Sequence, residues 1–509
     1  MGNLKRFLTN GLILTLTSLF LRWIGVYYNT YISNKLGAEG MGIYGLVQSV
    51  FAFAVTFACS GVNLGATRLV SEALARNDYL KVKKAIKSCV YYSLLFSVTA
   101  FLVVFFSADY IGGKILGDIR TIKSIRILAF SLPFISISSV LNGYFSAVRR
   151  VYKSASVMVF EQLIQIAVTV NILSIFTLKN IEYACISVAI GIVSAEFFSF
   201  TYNLILWCFD YRKYKIVNKT YTGDIKKQLI KISLPLALSA YVRSGLVTLE
   251  HLLIPYGLRK NGASYVESLS TYGLIQGMVF PIIMFSSCII YSFSGLLVPE
   301  LATFNERGDK NKINKAVSSV IEYSLIYSVA IAGILICYSY ELSVVFYNSS
   351  EAYEYIRLFA PLVTVMYLDG AIDGLLKGLN EQIHSMKINI MDAALSVLLV
   401  YFLVPHFGVN GYVVAIFACE IFNCGMSLLR LINITQPEIS LKKAILKPIA
   451  CIVVSTTTIT ILFHYLSLTH ITSTLNLITR IALTLAVYIL LIMLLKKRDI
   501  NVIKKPSSV

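Results

Sequence analysis

Arg22 stands in the middle of the apolar run LTSLFLRWIGVYY, and Arg243, Glu250 and His251 interrupt a later run of the same kind. Asp369, Asp373 and Lys377 follow at spacings of four, which puts all three on one helical face. Arg243 and Glu250 are seven apart and share a face in the same way. Glu161, Glu196, Asp392 and Glu420 are single acids in other apolar runs. An ionised group at mid-bilayer costs about 2.5–3.5 kcal/mol on insertion scales, so it persists where it meets water, a partner or a ligand. A guanidinium stays protonated, and its fork of donors grips two phosphate oxygens at once. Arg22 and Arg243 are therefore candidate ligands for an anionic, phosphate-bearing group. The plainer alternative is internal pairing with Glu250, Asp369 or Asp373. Asp369, Asp373 and Lys377 are candidates for coupling an ion or hydrogen-bonding a sugar. The single acids read as interhelical pairing or gating groups, and His251 as a core histidine.

The elements that must position these groups are membrane helices. Of 509 residues, 57% are apolar and 14% charged, against roughly 25% charged in soluble globular chains. The apolar residues fall into blocks of about 20, the length that crosses a bilayer as helix. Fourteen spans are expected, at 8–32, 42–66, 89–109, 125–148, 154–178, 183–208, 232–257, 271–299, 319–340, 356–379, 385–404, 410–432, 447–468 and 473–495. This composition excludes a soluble enzyme, a secreted module and a nucleic-acid-binding domain. The first apolar stretch runs past signal-peptide length without a small-residue cleavage site, so no cleavable signal is expected. The nine cysteines form no CxxC or Cys/His metal spacing and read as small packing residues.

The net charge of +19 follows from topology. With fourteen spans, 33 of the 45 Lys and Arg residues fall on the side of the termini and 10 on the other; Arg22 and Arg243 lie inside spans. Cytoplasmic loops collect Lys and Arg, so both termini are expected in the cytoplasm. The opposite loops are short, and there is no GxxxxGK[ST], no HExxH and no Ser/His/Asp set above background. Catalysis is not expected.

An internal repeat organises the chain. Tyr44-Gly45-Leu46-Val47-Gln48 returns as Tyr272-Gly273-Leu274-Ile275-Gln276, an offset of 228. At the same offset Leu69-Val70-Ser71-Glu72 matches Leu297-Val298-Pro299-Glu300, and Arg22 corresponds to Glu250, with which it could pair across a cavity. A unit of six helices restores the starting side, so the halves are parallel repeats. The expected layout is a first lobe at 1–208, a basic cytoplasmic linker at 209–231, a second lobe at 232–432, and two further spans with a basic tail at 433–509. Pro133, Pro281 and Pro361 break the helical ladder and permit bending.

This six-plus-six-plus-two layout resembles the multidrug/oligosaccharidyl-lipid/polysaccharide exporter superfamily. Leu21-Arg22-Trp23-Ile24-Gly25, Leu36-Gly37-Ala38-Glu39-Gly40 and Gly42-Ile43-Tyr44 are similar to its polysaccharide-biosynthesis branch. Leu234-Pro235, Arg243, Thr248-Leu249-Glu250 and Leu253-Ile254-Pro255 fit the same group, nearest to oligosaccharide flippases tied to sporulation and related to lipid II flippases of peptidoglycan synthesis. The resemblance implies a flippase for undecaprenyl-pyrophosphate-linked sugars with arginines lining a central cavity. Arg22-Trp23-Ile24-Gly25 matches the Arg-x-x-Gly context of one such arginine, whereas Tyr28 stands where the relatives carry a second. The last two spans resemble a pair that shapes a groove for the lipid tail.

The reading is an all-α polytopic membrane protein that translocates a polyprenyl-diphosphate-linked oligosaccharide or peptidoglycan precursor by alternating access. Arg22 and Arg243 would contact the head group, with Glu250, Asp369, Asp373 and Lys377 completing the site. No bound cofactor is expected; an ion gradient or the membrane potential supplies the bias. Membrane lipids are the other partners, nucleic acid is not one, and a monomer is expected. A drug/cation antiporter of the same superfamily is the alternative, and a scaffold for envelope-synthesis enzymes a third.

Overall fold

Long apolar runs with few breakers give long helices, and the breaks fall where glycine or proline interrupts them. The computed structural model describes residues 2–76, 78–176, 180–211, 224–437, 442–465 and 474–503, and no strand occurs among them. Most of the expected 209–231 linker and the last residues of the basic tail lie outside the described residues. Among the described residues, eleven helices are long and apolar enough to cross a membrane, or thirteen if each of two bent pairs is one span. The expected fourteen map onto these with two fusions and one division. Helix α1 (Gly2–Cys59) holds the first two spans and breaks at Gly37, where φ is 68°. Gly408, with φ 58°, likewise breaks Gln382–Thr435. Both conformations are open to glycine at no steric cost. The span expected at 271–299 is served by two stretches, Tyr265–Phe285 and Ser287–Glu306.

The chain forms two compact units. The first comprises residues 1–273 and 389–415. After α1 come α2 (Val62–Ala75), α3 (Tyr79–Tyr110), α4 (Thr121–Ala129), α5 (Leu132–Ala147), α6 (Val151–Phe176), α7 (Ile181–Tyr211), α8 (Ile225–Lys260) and α9 (Tyr265–Tyr272). Capping fixes several starts: Asp78 and Asp224 accept from the amides of Lys81 and Lys227, and Ser264 and Glu267 form a capping box. Pro133 sits in the first turn of α5, where α4 and α5 meet at 42°. The core gathers Val62, Ala66, Leu69 and Val70 of α2, Val82, Ala85, Ile86 and Cys89 of α3, Val140, Tyr144 and Phe145 of α5, and Ile225 and Leu229 of α8.

The second unit comprises residues 274–388 and 416–509. It contains α10 (Phe280–Phe285), α11 (Ser287–Glu306), α12 (Lys310–Cys337), α13 (Ser339–Tyr347), α14 (Tyr353–Phe359), α15 (Leu362–Gly378), the two ends of α16 (Gln382–Thr435), α17 (Lys447–Tyr465) and α18 (Thr474–Ile503). Pro361 caps α15, which meets α14 at 55°. Pro281 opens α10 just after a π-helical stretch at Gly273–Val279. Irregular backbone in a membrane needs internal partners. Three tyrosine hydroxyls supply them: Tyr347 donates to the Met278 carbonyl at 2.6 Å, Tyr367 to Ile283 at 2.6 Å and Tyr327 to Ser286 at 3.1 Å. A second core joins Val329 and Ala330 to Cys451, Ile452 and Tyr488, and the Tyr488 hydroxyl donates to the Ile326 carbonyl at 2.7 Å.

Candidate functional site

Helix α8 divides its polar residues between two faces. Tyr241, Ser244 and Thr248 recur at i, i+3 and i+7 and dock on α1 and on Ser60 just past its end. The Tyr241 hydroxyl bonds Ser60 Oγ at 2.6 Å, Thr56 Oγ1 donates to Ser244 Oγ at 3.2 Å, and Thr248 Oγ1 donates to the Ser49 carbonyl at 3.0 Å. This seam fixes the rotation of α8 and so the direction in which Arg243 and Glu250 project.

Arg243 is exposed and Glu250 half-buried. Glu250 is hydrogen-bonded by Ser396 and lies in the field of Asp392, which in turn lies in the field of Arg243. The first unit therefore groups Arg243, Glu250, Asp392 and Ser396. Two of these come from residues 389–415 of α16, which belong to this unit. Sequence reading took Asp392 for a separate pairing or gating group and missed Ser396. The available signal was the spacing of four between them. His251 is held at Nδ1 by the Tyr272 hydroxyl at 3.0 Å, with the rings edge to face, as expected of a core histidine.

Arg22 is half-buried on α1. Three residues on, and so on the same side of the helix, a Cβ added to Gly25 would meet nothing within 4 Å. Open space thus adjoins the Arg22 turn. Glu161 on α6 accepts from Ser199 Oγ of α7 at 2.8 Å and lies in the field of Glu196, so these two acids form one interhelical group.

The remaining predicted residues lie on α15 in the second unit. Asn423 Nδ2 donates to Asp369 Oδ2 at 3.5 Å. Asp373 is paired with Lys377 one turn on and accepts from Ser385 of α16. Asp369 and Glu420 act on the same neighbour, Cys424.

The chain as a whole is similar to known proteins. A model described as polysaccharide biosynthesis protein matches residues 7–287, more than half of the chain. The chain belongs to this family. It is 27% identical to stage V sporulation protein B of Bacillus subtilis (strain 168) over 420 residues, 81% of each chain. The fold is shared with solved structures of membrane transporters. A structure titled lipid II flippase MurJ in an inward closed conformation superposes with a TM-score of 0.66 at 14% identity, covering 95% of this chain and 99% of that one. An inward-facing multidrug resistance transporter superposes equally well, covering 83% of this chain and 99% of that one.

The part of the chain matched by the polysaccharide biosynthesis model contains Arg22, Arg243, Glu250 and Tyr272. Asp392, Ser396 and the α15 residues lie beyond it. Within this family member, the arginines thus sit in the matched region, while the groups that surround Arg243 are completed from outside it.

Proposed function

We propose that the protein is a flippase that moves a polyprenyl-diphosphate-linked oligosaccharide or peptidoglycan precursor across the cytoplasmic membrane. The observation that carries this reading is the placement of Arg243 on α8. It is exposed at mid-span, on a helix whose other face is bonded to α1, and it is neighboured by Asp392, which in turn acts on Glu250. Such an arginine has its charge balanced at rest and its donor fork free to turn to a diphosphate. Arg22, beside open space, is the second proposed ligand. Asp369, Asp373 and Lys377 are proposed as sugar-binding or ion-coupling groups.

In this mechanism the head group enters from the cytoplasmic side, the polyprenyl tail stays in lipid, and the repeats at 1–208 and 232–432 rock to expose the cavity outward. No covalent bond changes. Both termini are cytoplasmic in this proposal, on the strength of the 33-to-10 basic bias. The name and length of the similar flippase structure support the substrate class, since a likeness over 95% of the chain is too long to stop before α17. The equal superposition of a multidrug transporter favours the antiporter as the second reading.

The test is translocation of a fluorescent polyprenyl-diphosphate sugar by the purified protein in liposomes. Arg22→Ala and Arg243→Ala should each slow it by about tenfold or more, the factor set by losing a charge-assisted hydrogen bond. Normally folded variants that translocate at the wild-type rate sink the assignment. Efflux of toxic organic cations by the wild type, without lipid translocation, would favour the antiporter.

A further inference from the structure

A second charged group lies away from the proposed site, at the end of the helices marked by the Gly37 break. Two residues past that break, Glu39 Oε1 accepts from Arg120 Nη2 at 2.8 Å. The same guanidinium donates to both Asp118 oxygens at 2.8–3.1 Å. Asp118 Oδ1 also accepts from the Arg120 amide at 2.9 Å. The buried Tyr265 hydroxyl lies beside Asp118, and the Arg259 guanidinium covers the Tyr265 ring at 5.2 Å from its centroid. Glu39, Asp118 and Arg120 come from the first sequence repeat; Arg259 and Tyr265 come from the second. All five belong to the first compact unit.

A glycine contact accompanies these charges. A Cβ on Gly273 would lie 2.1 Å from the Ala38 carbonyl oxygen and 2.3 Å from the Gly42 nitrogen, and one on Gly42 would lie 2.1 Å from the Leu269 carbonyl oxygen. α9 and the second leg of α1 therefore meet at backbone level, as small residues allow in membrane proteins. Moving α9 away from α1 must open this contact and part Tyr265 from Asp118. The cost is bounded, because Arg120 and Glu39 remain 28% and 21% exposed and can be rehydrated. The contact is firm enough to hold and wet enough to release.

The geometry points to a latch: Arg120, gripping Glu39 and Asp118 next to the Gly42–Gly273 contact, holds this end of the helices shut, and its release is a step of the transport cycle. The inference rests on the alternating opening proposed above. Its test has one readout that needs no substrate. Hydrogen–deuterium exchange of the full chain in lipid nanodiscs would compare wild type with Arg120→Ala and the milder, volume-keeping Glu39→Gln. Amides in segments 38–45, 116–122 and 265–273 should exchange about tenfold faster in Arg120→Ala, as expected for loss of a charge-assisted bond, and less so in Glu39→Gln. Segment 62–73 in the core should not change. Unchanged exchange at the three segments in both variants, or acceleration that includes 62–73 in both, overturns the latch.

The second readout uses Asp118→Cys with Tyr265→Cys in a background lacking the other cysteines, joined by a bifunctional methanethiosulfonate. Lipid translocation should stop on cross-linking and return on reduction. Continued translocation by the fully cross-linked protein overturns the role in the cycle. If the wild type moves no lipid-linked sugar, the substrate assignment fails, and the exchange arm still judges the latch.

Discussion

Gly273 and Gly42 meet backbone to backbone, at a separation that leaves no room for a methyl group on either. The repeated motif runs through this contact: a Cβ on Gly45 of the first copy would lie 3.1 Å from the Tyr272 ring of the second. Gly273→Ala should therefore lower the thermal midpoint strongly. Overpacking against unyielding backbone costs about 1–3 kcal/mol or more. Gly25→Ala, which adds its methyl to open space, should leave the midpoint unchanged. A melting curve of each purified variant in detergent checks both. Equal midpoints for the two variants would contradict the contact.

Asp118 gives a prediction with a sign. Burial pushes its carboxyl up, and the hydrogen bonds and charge of Arg120 outweigh that, so it titrates below its ordinary value. A carboxylate lowered in the folded state adds stability above its unfolded pKa of about 3.9, and that stability is lost as pH falls through the folded value. Asp118→Asn should thus melt below wild type at pH 7, and the gap should close on acidification below about pH 4. A gap that stays constant down to pH 3 would rule out the linkage.

Much of this was legible before the structure. Apolar blocks long enough to span a bilayer declare themselves in any chain, and Asp373 and Lys377 pair as their spacing of four requires. Pro133 and Pro361 mark bends because proline cannot continue the ladder. The break inside 271–299 was less visible. It depends on the Tyr327, Tyr347 and Tyr367 hydroxyls reaching carbonyls about 40 to 84 positions away in sequence. Ser396 beside Glu250 and Glu39 beside Arg120 were hidden for the same reason, since periodicity reports one helix at a time. The repeated Tyr-Gly-Leu motif was visible as a duplication, but that its copies touch was not.

Asp210 is fully buried at the end of α7, where it pairs with Arg150 and Lys153 and accepts from the Tyr144 hydroxyl at 3.3 Å. Removing one partner of a buried ion pair strands the other and costs about 3–5 kcal/mol. Asp210→Ala should reduce the yield of folded protein and its melting temperature more than Asp309→Ala, whose partner Lys312 is exposed. Equal losses would show that the buried pair carries no extra weight.

Arg480 ties α18 to α13 in the second unit. Its Nη1 contacts Glu341 Oε1 at 3.0 Å, and the guanidinium lies over the rings of Tyr338 at 5.0 Å and Phe463 at 5.7 Å. A lysine keeps the charge but loses the planar stacking. Arg480→Lys should therefore destabilise by about 1 kcal/mol, the scale of a partly exposed cation–π contact, with faster amide exchange in 339–347. Unaltered exchange there would mean the stacking contributes nothing.

Ser396 supplies the prediction that separates a role in the site from a role in the fold. Its side chain bonds Glu250, and Glu250 shares a helix face with Arg243. Ser396→Ala removes one hydroxyl from a packed position, a small change in volume, while freeing a carboxylate two turns from the proposed diphosphate ligand. A freed Glu250 would compete with the substrate for Arg243. Translocation should fall several-fold, with an apparent affinity for the lipid-linked sugar that weakens more than the maximal rate. The melting temperature should move little, and Ser396→Thr, which keeps the hydroxyl, should restore most of the activity. An Ala variant that melts early and transports normally per folded molecule would place Ser396 in the fold alone.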